Sequence, residues 1–332
     1  MTDSSLLPMS RLTDQHIAQK PLIVIVGPTA VGKSRVAIEV ARAFGTEILT
    51  ADSRQVYRGM NIGTDKPPLS ERGGIGHRLI DLVDPDEPFN AGLYCRHATA
   101  AIEELYARKQ LPLVVGGTGL YVRTLLKGLC EAPPADAELR KQLQREAREQ
   151  GDDRFYARLV EVDPATAARL HPKDVSKVIR ALEVFQLSGK SLLSFQSVHQ
   201  FAERPYRTLV FGLQRDREAL YRRIEERIDW QLAHGMVDET RALLQQGYQR
   251  ESAAMKGLGY RHVAAHLAGE YDYVEMVRRF KRDTRHFAKR QMTWFRSEPE
   301  IVWHMIGAPD SIESTARLVT GKIDVFLEQC AS

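Results

Sequence analysis

Gly27-Pro28-Thr29-Ala30-Val31-Gly32-Lys33-Ser34 fits G-x-x-x-x-G-K-[ST] at every fixed position, the pattern of a phosphate-binding loop. Its flanks stand in the required order. Leu22-Ile23-Val24-Ile25-Val26 is a β-branched run that reads as a fully buried strand, and Arg35 to Phe44 carries helical spacing at Val36, Val40 and Phe44. Glycines let backbone N–H groups turn inward around an anion, the helix that follows adds the positive end of its dipole, and Lys33 supplies a point charge. Ser34 can offer its hydroxyl to a Mg2+ riding on the bound phosphates. The motif does not say which phosphate is held, because ATP and a diphosphate ester present the same anion to it.

Working outward, Glu47-Ile48-Leu49-Thr50 reads as a second strand, and Asp52 would follow its carboxyl end, where ligands collect in a doubly wound sheet. Asp52 is therefore the leading candidate acid or base; the competing reading is that it caps the turn after it. Residues 59 to 76 are rich in Gly and Pro and read as a surface turn section, and His77 to Pro85 as a further short strand. Asp81 and Asp84 are weighed as Mg2+ carboxylates and read rather as turn formers. Phe89 to Lys109 is expected to be helical. Leu111 to Val115 is a third buried strand, which ends in Gly116-Gly117-Thr118 and lacks the terminal Asp of an ordinary Walker B ATPase.

From Gly128 to Pro134 the chain reads as a linker, and from Asp136 to about Ser197 as helices only. Asp136 is placed as a cap with Gly151 as stop, Asp163-Pro164 as cap and first helical position, and Asp174 as the start of a helix ending at Gly189. Arg207 to Leu213 returns as a strand. The predicted fold is α/β: a P-loop NTPase-like parallel sheet flanked by helices, with an all-helical insertion. The expected divisions are a loose tail over 1–20, core over 21–130, insertion over 131–200 and core again over 201–332.

The 332 residues, 43% of them hydrophobic, suffice for one large or two modest globular domains. Positive charge is concentrated. Arg278, Arg279, Lys281, Arg282, Arg285, Lys289, Arg290 and Arg296 against Asp283 alone give one segment a formal +7, which leaves −3 for the remainder of a chain whose net charge is +4. This segment is predicted as the final long helix, with Val277, Phe280, Phe287 and Trp294 inward and a row of cations along another side. Such a row suits phosphate backbones, and Trp294, Phe295 and Tyr260 could stack on RNA bases. Another helix, after Leu213, carries Arg215, Arg217, Arg222, Arg223 and Arg227, any one of which could clamp phosphates. Cys95, Cys130 and Cys330 form no C-x-x-C, which favours a reducing cytoplasm over a disulfide framework or zinc site. No stretch approaches the ~18 apolar residues of a membrane span.

Six stretches together resemble the bacterial tRNA dimethylallyltransferases (the IPP transferase family): GPTAVGKS at 27–34, ADSRQVYRGMNIGTDKP at 51–67, VVGGTGLY at 114–121, HPKDVSKVIRALEV at 171–184, KGLGYR at 256–261 and AKRQMTWFR at 288–296. The resemblance implies transfer of a dimethylallyl group from dimethylallyl diphosphate to N6 of the adenosine 3′-adjacent to a tRNA anticodon, with release of diphosphate. It implies that Gly27, Pro28, Thr29, Ala30, Val31, Gly32, Lys33 and Ser34 grip the donor diphosphate rather than ATP, with Arg223 helping and with Ser34 and Thr29 nearest Mg2+. Asp52 becomes the general base, with Thr118 beside it. The resemblance further implies RNA contacts at Asp52, Ser53, Arg54, Gln55, Thr118 and Arg140; at Ser176, Lys177, Val178, Ile179 and Arg180 on the insertion; at Lys256, Gly257, Leu258, Gly259, Tyr260 and Arg261; and at Lys289, Arg290, Gln291, Met292, Thr293, Trp294, Phe295 and Arg296. A cytoplasmic monomer with no membrane partner is expected.

Two other classes compete on the residues alone. A phosphate-loop kinase would hold ATP and use Asp52 to activate a hydroxyl, but it gives the basic aromatic helix no task. A nucleotide-gated RNA-binding protein is the other, and its GTPase version would want an N-K-x-D motif, which the sequence lacks.

Overall fold

The computed structural model describes residues 12–129, 132–199, 204–307 and 312–331. Six strands form one sheet: β1 (Pro21–Val26), β2 (Ile48–Ala51), β3 (His77–Arg78), β4 (Leu113–Gly116), β5 (Arg207–Gln214) and β6 (Ile301–Met305), in the order β3-β2-β4-β1-β5-β6. Every pairing is parallel. Strands covered by helices on both faces must be apolar along their whole length, and β1, β2 and β4 are buried at every residue. The region His77 to Pro85 contributes less strand than its sequence suggests, only His77–Arg78 plus an isolated bridge between Tyr57 and Val83.

Contacts divide the chain into two compact units, residues 127–204 and the remainder. The smaller unit is wholly helical among its described residues, with helices over Ala137–Gln150, Asp152–Val162, Pro164–Ala167, Val175–Ser188 and Leu192–His199. Its caps are those its sequence predicts: the Asp136 side chain accepts from Leu139 N–H, Asp163 accepts from Thr166 N–H with Pro164 at the first position, and Gly189 closes its helix at φ +67. Leu143, Phe155, Leu159, Val178 and Leu182 form its core. Residues 130, 131 and 200–203, where linker and boundary were expected, lie outside the described residues.

Two expectations are corrected. The tail over 1–20 is in part folded: Thr13 caps a helix over Asp14–Ala18, Leu12 is buried, and its N–H donates to the Lys109 carbonyl at 2.9 Å. Residues 1–11 lie outside the described residues. The basic helix, Tyr273–Arg296, is not the last, since β6 and a helix over Ile312–Ala331 follow it, the latter packed on the phosphate-loop helix Lys33–Phe44.

Of the residues expected to face inward on the basic helix, Phe280 is buried and Val277 and Trp294 are partly buried against the apolar clusters, but Phe287 is not. Met276, Phe280, Thr284, Ala288, Gln291 and Phe295 are the helix's buried residues, while Phe287 is 38% exposed. The buried set keeps a helical period but includes Thr284 and Gln291, polar positions that an apolar pattern passes over. A second apolar cluster joins Val56, Tyr57 and Met60 from the loop after β2 to Met236, Leu243, Tyr260 and Met276. Glu239 ties the same loop from its far side, accepting the N–H groups of Asn61, Ile62 and Gly63 at 2.9–3.1 Å and the Tyr260 hydroxyl at 2.6 Å.

Candidate active site

The parallel register brings four chain exits to one edge. Val26 of β1 and Ala51 of β2 both pair with Gly116 of β4, so Gly27, Asp52 and Gly117 each stand one residue past the sheet, with Arg215 just past β5. A side chain at 116 is impossible, because a Cβ there would come within 2.0 Å of the Ala51 carbonyl oxygen. This close approach sets the phosphate loop and Asp52 on either side of a single strand.

The loop is held by its own lysine and by arginines from outside it. Lys33 Nζ donates to the Pro28 carbonyl at 2.8 Å, Arg223 Nε to the Ala30 carbonyl at 2.9 Å, and Arg215 Nε to the Val31 carbonyl at 2.9 Å. Arg227 donates to Thr29 Oγ1 at 2.6 Å and to Asp65 at 2.9 Å, tying the loop to the segment after β2. Burial pulls the Lys33 ammonium down to about 8; the nearby Asp52 carboxylate opposes this shift and Arg227 adds to it. The result is an electropositive cradle whose cations gain their natural counter-charge when a polyanion enters.

Asp52 does both things that its position suggests. Its Oδ1 accepts from Arg54 N–H at 2.8 Å and Gln55 N–H at 3.4 Å, making the turn, while Oδ2 has no hydrogen-bond partner among the described residues. Thr118 fixes the next residue, its Oγ1 accepting from Ser53 N–H at 2.9 Å. The Gln55 carboxamide is spent on the carbonyls of Thr64 and Asp65, at 3.0 and 3.2 Å, and Arg54 on the Ala253 carbonyl. Asp81 and Asp84 are not free metal carboxylates: Asp81 pairs with buried Lys66 at 2.6 Å and Asp84 with Arg58 at 3.1 Å. Of the two hydroxyls implied for Mg2+, that of Thr29 faces the Arg227 guanidinium, which disfavours a cation beside it, whereas Ser34 is exposed at the loop's end.

The sequence matches the IPP transferase family over residues 55–298 and the isopentenyl transferase family over residues 20–81. The chain belongs to the IPP transferase family. A tRNA dimethylallyltransferase of Geobacter metallireducens is 49% identical over 295 residues, which cover 89% of this chain and 96% of that protein. One from Thermomicrobium roseum is 43% identical over 319 residues, 94% and 96% of the two chains. Among solved structures, the tRNA isopentenylpyrophosphate transferase of Bacillus halodurans aligns with a TM-score of 0.71 at 34% identity, covering 94% of this chain and 98% of that one. A eukaryotic dimethylallyltransferase captured acting on tRNA aligns with a TM-score of 0.78 at 27% identity, covering 92% and 79%.

In this IPP transferase the residues implied for RNA contact differ in exposure. Lys256 and Arg261 are exposed, as are Lys289, Arg290, Thr293 and Arg296, and Ser176 and Lys177 on the helical unit; Leu258 and Met292 are half-buried. Gly257, Gly259, Tyr260, Gln291, Phe295, Val178 and Ile179 are buried, which corrects the expectation that they face RNA. Tyr260 and Phe295 are each 1% exposed and offer no face to a base. Trp294 is half-buried, with the Arg123 guanidinium 4.3 Å over its ring.

The expected row of free cations is thinner as well. Arg285 pairs with Glu225, Lys281 with Asp229, Arg278 and Arg279 with Glu275, and Arg282 with Asp283. In the helical unit Glu183 is fully buried; burial works against its charge, yet Arg140 and Arg180, at 2.6 and 2.7 Å, hold its carboxyl below the usual range. Those two arginines therefore act first as counter-ions of the core.

The sequence offers Arg215 and Arg227 only as two of five arginines that could clamp phosphates, places Gln291 at RNA rather than inside the protein, and gives Asp65 no role. Arg227 had a legible signal, since it lies one turn from Arg223 on the helix Arg217–Ala233 and so shares its face. Nothing in the pattern marks Asp65 or Gln291.

Among the described residues, no helix is long and apolar enough to cross a membrane.

Proposed function

We propose that this protein is a tRNA dimethylallyltransferase that prenylates N6 of the adenosine 3′-adjacent to the anticodon. The observation that carries the reading is the placement of Asp52 one strand away from the phosphate loop, on a chain 49% identical to a protein of that name. N6 of the adenine attacks C1 of the dimethylallyl group, the C1–O bond to diphosphate breaks, and Asp52 Oδ2 accepts the N6 proton. Lys33, the loop N–H groups and the uncommitted N–H groups of Arg223 take up the charge developing on the leaving diphosphate. Mg2+, with Ser34 as its protein ligand, would supply further neutralisation of that charge.

An adenine within a stacked loop cannot reach a recessed carbon, so it must be flipped out at a cost of a few kcal/mol. Contacts from Lys256, Arg261, Lys289, Arg290 and Arg296, and from Ser176 and Lys177, would offset that cost. A cytoplasmic monomer acting with Mg2+ completes the proposal. Phosphoryl transfer from ATP is not favoured: β4 ends in glycines, and the relatives are named as dimethylallyltransferases.

The test incubates the protein and Mg2+ with unmodified tRNA and either dimethylallyl diphosphate or ATP, then weighs the digested nucleosides. An adenosine heavier by one dimethylallyl unit with the first donor alone is expected. Unchanged tRNA, with ATP consumed in the presence of a small acceptor, would overturn the reading in favour of a kinase.

A further inference from the structure

Gln291 belongs to the stretch 288–296 whose resemblance implies RNA contact, yet the residue is only 9% exposed and its carboxamide points into the protein. Its Oε1 accepts from Thr29 N–H at 2.9 Å, and its Nε2 donates to the Gly117 carbonyl at 2.9 Å. The two partners are backbone groups of the two loops that bear the reacting parts. Thr29 lies in the phosphate loop; Gly117 precedes Thr118, whose hydroxyl holds Ser53 beside Asp52. Sheet pairing between β1 and β4 stops at Val26 and Gly116, so the ladder no longer fixes these loops against each other where the chemistry takes place.

The surroundings are built for this contact. A Cβ on residue 117 would lie 2.5 Å from Gln291 Nε2, and one on residue 119 would lie 2.2 Å from the Trp294 ring, so two glycines let the helix approach. Arg123 presses on Trp294 from above and is itself held by Glu298 at 2.6 Å. A neutral carboxamide accepts and donates side by side without charge at every pH, which a carboxyl does only when protonated.

We infer that Gln291 is a positioning residue for prenyl transfer, a strut that sets the distance between the donor diphosphate and the Asp52 base. The inference rests on the transferase reading above. A misplacement of about 1 Å between reacting groups costs about 100-fold in rate, so loss of the strut lowers kcat and leaves tRNA affinity almost unchanged.

The test compares Gln291→Met and Gln291→Glu with wild type from pH 5.5 to 8.5, measuring kcat with dimethylallyl diphosphate and unmodified tRNA, tRNA Kd, and Tm. For Gln291→Met the expectation is a kcat loss of about 10- to 100-fold at every pH, with tRNA Kd within about twofold of wild type. For Gln291→Glu the deficit should match that of Met at high pH and shrink as pH falls, because a protonated carboxyl again accepts from Thr29 N–H and donates to the Gly117 carbonyl, while a carboxylate cannot donate. If Gln291→Met is too unstable to assay, this pH-dependent ratio to wild type decides alone.

Wild-type kcat with weakened tRNA binding would overturn the strut and return Gln291 to recognition. A Gln291→Glu deficit that does not change with pH would overturn it in favour of a purely structural role. Absence of prenylation by wild type would instead overturn the reaction on which the inference rests.

Discussion

Lys33 offers the most quantitative test of the cradle. In the structure its half-buried ammonium is satisfied by a neutral carbonyl, and burial takes its pKa from 10.5 to about 8. That shift corresponds to about 3 kcal/mol of lost preference for the charged form, which a bound diphosphate would restore. If the donor binds only when Lys33 is charged, apparent affinity falls about fivefold between pH 8 and pH 9 and about tenfold over the next unit. Donor binding at pH 8 should then take up about half a proton, seen by calorimetry in buffers of different ionisation enthalpy.

The control is Lys33→Arg, whose guanidinium stays charged, so the donor's own ionisation is all that its pH profile contains. In the ligand-free protein the sign is opposite to that of a paired lysine. The folded pKa lies below the unfolded one, so between about pH 8 and 10.5 the unfolded chain holds the extra proton, and stability relative to Lys33→Met rises with pH across that window. Donor affinity that is flat from pH 7 to 9.5 in wild type, or that falls identically in Lys33→Arg, would refute the account.

Asp52→Asn keeps the oxygen that caps the turn and removes the base; turnover should drop by about 100- to 10,000-fold with tRNA Kd unchanged, whereas retained turnover with lost affinity would assign Asp52 to recognition. Glu239→Gln weakens the charge-assisted bonds to three loop N–H groups and to Tyr260, and should lower the urea midpoint by an amount worth about 2 kcal/mol without changing m; an unmoved midpoint contradicts that role. Lys289→Ala should weaken tRNA binding and reduce the slope of log K against log salt by about 1, and an unaltered slope would show that Lys289 meets no phosphate.

The Gly-rich motif between an apolar run and a helical pattern identified the phosphate loop, its strand and its helix, because each of those features is a local choice of backbone or side chain. The same locality made the caps at Asp136, Asp163 and Gly189 readable, along with the end of β2 that carries Asp52. What escaped depends on groups far apart in sequence. Gln291 reaches Thr29 across 262 residues and Arg227 reaches Thr29 across 198, and no periodicity records such meetings.

Burial of Tyr260 and Phe295 likewise came from neighbours rather than pattern. Tyr260 reads as a stacking platform until Glu239 and the second apolar cluster are seen around it, and Phe295 until it is found in the main core. Even the row of cations on Tyr273–Arg296 was legible only as charge, since whether each arginine faces RNA or a carboxylate such as Glu225 depends on which helix lies alongside. Sequence alone determined which chemical groups this protein has and the local backbone that presents them. Tertiary structure decided which of those groups are free to act, because hydrogen-bond donors and charges are committed by whatever the folded chain places within about 3 Å of them.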